Sequence, residues 1–113
     1  MDPEEEPSIG ELQELIRKFI SERDWDRFHR PKDVAAALSI EAGELQELYL
    51  WDRSPDREAL EDEMADVFFF LLDMSFREDV DLIKALKKKL IKNEKKYPAH
   101  LVRGKDDKYT KYQ

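Results

Sequence analysis

The sequence contains no cysteine, and only three glycines and five prolines in 113 residues. Without cysteine there is no disulfide, no zinc–thiolate site and no thiol nucleophile, a composition that suits an intracellular, cytoplasmic protein. So few glycines and prolines leave little room for a turn-rich β fold, and an all-α class is expected. Long apolar runs are missing too. None approaches the roughly eighteen residues of a membrane span, no stretch reads as a signal peptide, and no membrane partner is expected. An excess of positive charge is also absent, because 20 Lys and Arg face 27 Asp and Glu for a net charge of −7. That balance argues against non-specific nucleic-acid binding, which draws on phosphate neutralisation by basic side chains.

What the chain does hold is charge and apolar residues in nearly equal share, 42% and 41%. This is the mix of helices with one buried and one charged face. One domain spanning 1–113 is expected, with residues 1–7 as a loose acidic leader and 104–113 as a polar tail. Ser8 with Glu11 three residues on is a capping-box signature, and it opens a first helix from Ser8 to Arg23 along the stripe Ile9, Leu12, Ile16 and Phe19. An aromatic link follows, too short and too charged for another helix. Phe28 is expected to plug the bundle end. Trp25 and His29 either share that plug or line a pocket mouth, where a flat ring can stack on a nucleobase.

A second helix is expected from Lys32 or Asp33, with Asp33 as N-cap, to about Trp51. Ser54 and Pro55 are expected to open a third as N-cap and first helical residue, running to about Phe76. Its run from Phe68 to Leu72 is apolar all round and calls for cover on every side. Either it is central in the monomer or a second copy of the chain buries part of it. Asp79 or Asp81 is expected to cap a fourth helix ending near Lys96, with Leu82, Leu86, Leu90 and Tyr97 on one stripe and Asn93 in its vacant position. A buried amide there needs hydrogen-bond partners from the protein or a ligand. Lys89 and Lys96, close to the same side, are the lysines best aimed at a phosphate.

The chemistry concentrates in two carboxylate pairs, Glu41 with Glu44 and Glu63 with Asp66. Residues three apart share a helix face. Glu41 fills the gap in the stripe Val34, Leu38, Leu45, Leu48, and Glu63 completes Leu60, Val67, Met74. Carboxylates stand where core residues belong. Burial of an unpaired carboxylate costs several kcal/mol or more. With no basic residue at the matching inward positions, a hard divalent cation, Mg²⁺ or Mn²⁺, is the expected partner. The plainer alternative is two solvated acidic faces. A P-loop is absent, since no glycine-rich loop precedes Lys-Ser or Lys-Thr. A ferritin-like di-iron site is disfavoured, since neither histidine follows a glutamate by three. A metal among carboxylates, with lysines and aromatic rings near it, fits a nucleoside triphosphate, whose hydrolysis needs position and charge compensation rather than a side-chain nucleophile.

Ordered along the chain, these residues resemble a known family. Glu22-Arg23-Asp24-Trp25, Phe28-His29-Arg30-Pro31-Lys32, Ser39-Ile40-Glu41-Ala42-Gly43-Glu44-Leu45 up to Trp51, Glu63-Met64-Ala65-Asp66-Val67, Lys89 with Asn93, and Lys96-Tyr97-Pro98-Ala99-His100-Leu101 are similar to the all-α MazG-like nucleotide pyrophosphohydrolases, dCTP pyrophosphatase branch. The resemblance implies a four-helix MazG-like bundle assembled as a dimer or a dimer of dimers, a homotetramer. It implies Mg²⁺-dependent hydrolysis of a dNTP, foremost dCTP or a modified dCTP, to dNMP and pyrophosphate, in nucleotide-pool cleaning. Glu41, Glu44, Glu63 and Asp66 match the metal-binding carboxylates, with Glu41 and Glu44 the candidates for general base. Trp25, His29 and Trp51 match the base pocket, and Lys89, Asn93, Lys96 and Tyr97 the positions that meet phosphates and sugar. The chain departs from the animal members at Ile16, where they carry His, at Asp33, where Asn is usual, and in the short link from Asp52 to Arg57. Other readings are a non-catalytic helical interaction module, or the same chemistry on dUTP, phosphoribosyl-ATP or a damaged purine nucleotide.

Overall fold

The computed structural model describes residues 1–51 and 54–105 and contains, in order, α1 (Ile9–Glu22), a 3-10 turn (Asp26–Phe28), α2 (Pro31–Glu47), α3 (Arg57–Arg77), α4 (Leu82–Lys96) and a short α5 (Ala99–Val102). No strand forms among the described residues. Residues 52–53 of the expected link from Asp52 to Arg57, and residues 106–113 of the expected tail, lie outside the described ones. The chain divides into two units, Met1–Asp79 and Val80–Gln113.

In the first unit α3 is the organising helix. It packs along α2 and, less extensively, on α1. His29 meets Asp73, whereas Glu41 and Glu44 meet Glu63, so rising numbers on one side meet falling numbers on the other and α2 and α3 run antiparallel. Ile20 from α1, Val34 from α2 and Leu72 from α3 are the fully buried apolar side chains. Polar groups complete this centre. Gln13 Nε2 donates to Ser75 Oγ at 2.9 Å, and that hydroxyl donates to the Leu72 carbonyl at 2.6 Å, so buried Ser75 is satisfied within the bundle.

Helix ends follow local chemistry, and several differ from the sequence expectation. Ser8 accepts from the Glu11 N–H while the Glu11 carboxylate reaches back to the Ser8 N–H, which is the expected capping box. At α2 the N-cap is Arg30, not Asp33. Pro31 at the first helical position sets the start, and the Asp33 carboxylate accepts from Arg30 Nε at 2.8 Å instead of capping. At α3 the N-cap is Asp56, which accepts from the Ala59 N–H at 3.1 Å; Ser54 and Pro55 precede the helix. Asp81 caps α4 through the Lys84 N–H, deciding between it and Asp79. Beyond Pro98, where no helix was expected, α5 forms one further turn.

Two expected burials do not occur. Phe28 is 60% exposed, its ring under the Arg27 guanidinium at 5.0 Å, so it plugs nothing within the chain. On α4 the stripe residues Leu86 and Leu90 are exposed, and no other long helix stands among the described residues of the second unit to cover them. The all-apolar run of α3 is only partly covered: Leu72 is buried and Phe69 and Phe70 half-buried, while Phe68 and Leu71 remain open. No described helix is long and apolar enough to cross a membrane.

Candidate active site

Glu41 and Glu44 stand one turn apart on α2 and Glu63 faces them from α3. One carboxylate oxygen from each lies within 4.8 Å of the others. The α2/α3 pairing brings them together, since each glutamate occupies an inward position of its helix. Glu41 Oε2 and Glu63 Oε2 are buried without a hydrogen-bond partner among the described residues. Burial, a hydrogen bond shared with Glu44 and the charges of Glu44, Asp66 and Glu63 together push the Glu41 carboxyl up to about 7. Glu63 is likewise raised, first by burial and then by the charges of Glu44 and Asp66. Asp66 is itself exposed and acts on the cluster by its charge rather than as one of the converged oxygens.

Such an arrangement is costly without a cation. Buried acceptors with no donor forfeit hydration without return, and clustered like charges lift carboxyl pKa values. Three converging carboxylates, two of which carry an orphaned oxygen, fit a divalent metal ion bound through hard oxygen ligands. Two hollows of this unit, of about 880 and 650 Å³, are lined by other residues.

The aromatic link divides into an exposed and an anchored part. Trp25 is 44% exposed and touches Phe19 edge-on, ring centroids 5.9 Å apart. Trp51, after the turns that end α2, is 78% exposed. His29 is drawn inward. Its ring stacks on Phe70 at 26° and 6.2 Å, and Nδ1 lies 2.5 Å from Asp73 Oδ2. Asp73 is 0% exposed, and Arg77 Nε donates to its other oxygen at 2.5 Å. A carboxylate so placed accepts, which puts the proton on Nδ1 of His29. Arg77 reaches further, donating from a terminal nitrogen to Asp26 in the 3-10 turn at 2.9 Å.

Sequence reading did not single out Asp73 and Arg77. Their partners lie some fifty residues away, and the one available signal was an aspartate directly after Phe68–Leu72, four before an arginine. The second unit carries Lys89, Asn93 and Lys96 on one side of α4, with Tyr97 at its C-cap. Asn93 and Lys96 are half-buried and Lys89 exposed.

Comparison with known proteins adds a separate line. No family model matches the chain. It is 39% identical over 115 aligned positions to the rat and human proteins named dCTP pyrophosphatase 1, covering 93% of this chain and 68% of each relative. Among solved structures, a pyrophosphatase from Archaeoglobus fulgidus superposes with a TM-score of 0.74 at 36% identity, over 87% of this chain and 99% of the other. Identity at this level over more than two thirds of the relatives, together with four long helices and no described strand, identifies the chain as a nucleotide pyrophosphohydrolase that belongs to the all-α MazG-like family, in its dCTP pyrophosphatase-like branch.

Proposed function

We propose that the chain hydrolyses a dNTP, foremost dCTP or a modified dCTP, between the α and β phosphates to give dNMP and pyrophosphate, with Mg²⁺ held by Glu41, Glu44, Glu63 and Asp66. The observation that carries the reading is the pair of orphaned oxygens on Glu41 and Glu63 beside Glu44. Half-buried glutamates with unpartnered oxygens, and no ion pair to them among the described residues, lose stability for nothing unless something cationic completes them. A bound divalent ion would supply charge neutralisation for the phosphates and a lowered pKa for an attacking water. Glu41 and Glu44 are the two candidates to take the proton of that water. Water adds to phosphorus in line as the bond to the leaving pyrophosphate breaks. The exposed indoles of Trp25 and Trp51 offer flat faces to a nucleobase, with His29, four residues after Trp25, assigned to the same task. Lys89, Asn93, Lys96 and Tyr97 supply donors for phosphates and sugar.

The curated relatives' name supports dCTP as the leading base. Ile16, apolar and half-buried on α1, supports testing other bases under the same chemistry. Assembly as a dimer or a dimer of dimers is part of the reading, supported by exposed Phe68 and Leu71 and by a core that, among the described residues, has three fully buried apolar side chains. The cytoplasm, where free dNTPs are made and consumed, is the expected compartment. Pyrophosphate release from a panel of canonical and modified NTPs and dNTPs, with Mg²⁺, Mn²⁺ or EDTA, tests all of this. Metal-dependent release favouring one base is the expected result. Absence of release from every nucleotide by folded, metal-supplied protein would overturn it.

A further inference from the structure

Asp73 is the most buried charged group among the described residues, yet no step proposed for hydrolysis uses it. Replacing a buried ion cluster by apolar residues of similar volume is often neutral or stabilising. Leucine or methionine would continue the apolar face that Leu72 and Met74 border. What the cluster does instead is join distant segments. Its carboxylate takes His29 Nδ1 on one oxygen and Arg77 Nε on the other, and the Arg77 fork continues to Asp26. Both ends of the 26–29 segment are thereby tied to the last turns of α3. Trp25, immediately before it, has the Phe19 edge and a backbone bond to Ile20.

From this geometry we infer that Asp73 and Arg77 are positioning residues that fix the aromatic link and so set the presentation of Trp25 and His29 to the nucleobase. The inference rests on the proposed dNTP hydrolysis for its substrate. The two ties act at different points. Asp73 sets the ring plane of His29 and its Nδ1–H tautomer, while Arg77 sets the height of the 3-10 turn. A planar, forked guanidinium spans the two carboxylates, and lysine, a point charge, cannot hold both.

The test adds Asp73→Asn, Arg77→Lys and Asp26→Ala singly to the whole chain, reading quenching in a Trp51→Phe background, so that emission reports Trp25 alone, and KM with Trp51 intact. Asp26 is exposed, so Asp26→Ala releases the link with little threat to folding if the buried variants fail to fold. Each folded variant is expected to show increased acrylamide quenching of Trp25 and a rise of about tenfold in KM for dCTP, with kcat within about twofold, the loss of roughly one charge-assisted contact. Mn²⁺ binding to the glutamate cluster stays at the parental value. Unchanged quenching in folded Asp26→Ala and Arg77→Lys would overturn the inference, as would a loss of kcat in step with thermal stability at constant KM, the mark of a purely structural role. Should the unsubstituted chain hydrolyse no nucleotide, the function fails but quenching still decides whether the link is positioned.

Discussion

Two regions of α3, about 15 Å apart along the helix at its ordinary rise, solve the same problem in opposite ways. At Glu63 a carboxylate oxygen is buried with no partner, facing two further glutamates. At Asp73 a carboxylate is buried more completely, and both oxygens are engaged by cations or donors of the chain itself. One site is self-neutralised and the other is left electrostatically incomplete. A group that finds its counter-charge inside the chain is architecture, and one that does not is prepared to receive it from outside.

The sharpest way to break that comparison is to remove the incomplete charge. Glu44→Gln keeps size and shape but leaves one fewer anionic ligand. Pyrophosphate release is expected to fall by about a hundredfold to a thousandfold while the circular dichroism spectrum stays helical, on the scale of a lost electrostatic catalytic group. The complementary change, Asp73→Ala, leaves Arg77 and His29 without their shared acceptor. Thermal or urea unfolding should show a loss of about 3–5 kcal/mol, the usual cost of breaking a buried pair from one side.

Acidity distinguishes the two regions next. In the folded, metal-free chain Glu41 titrates near 7 against an ordinary 4.5, so between those values the folded state binds more protons than the unfolded one. Stability from this group is therefore complete below about 4.5 and declines as pH rises through 7. Added Mn²⁺ should reverse the trend, because its ligands must be deprotonated. The melting temperature of metal-free protein is expected to fall between pH 5 and pH 7.5, and the increment given by Mn²⁺ to grow over the same range. A metal increment independent of pH would separate Glu41 from the metal site. The smallest effect concerns Gly43, between the two glutamates of α2. An added Cβ there meets nothing within 4 Å. Gly43→Ala should stabilise the single chain by about 0.5–1 kcal/mol in thermal melts, through helix propensity alone.

How far the sequence spoke for the structure depended on whether the signal was local. The Ser8/Glu11 capping box needs only residues three apart, and it forms as read. Glu41 and Glu63 announced themselves as gaps in apolar stripes, a helix-length pattern, and those residues converge. At α3 the expected Ser54 cap named the type of start but not its position; the Asp56 carboxylate, which accepts from the Ala59 N–H, decided it. Phe28 failed because an aromatic ring in a link need not face the core: it stays 60% exposed, with the Arg27 guanidinium over it. Asp73 lay beyond local reading, since its meaning is supplied by His29, forty-four residues earlier in the chain.

The backbone at Asp24 carries a consequence for which substitutions the link will tolerate. This residue follows the C-cap of α1 with φ of 53°, in the left-handed region where aspartate, asparagine and glycine are the side chains that settle. One torsion thus turns the chain from helix into the aromatic link. Mutational drift at that corner is confined to a narrow alphabet: a valine or isoleucine there would reverse the torsion and carry Trp25 away with every catalytic group untouched. A saturation library at position 24 should return Asp, Asn and Gly among active clones and no β-branched residue. The corner, more than the rings it presents, limits how this loop can diversify.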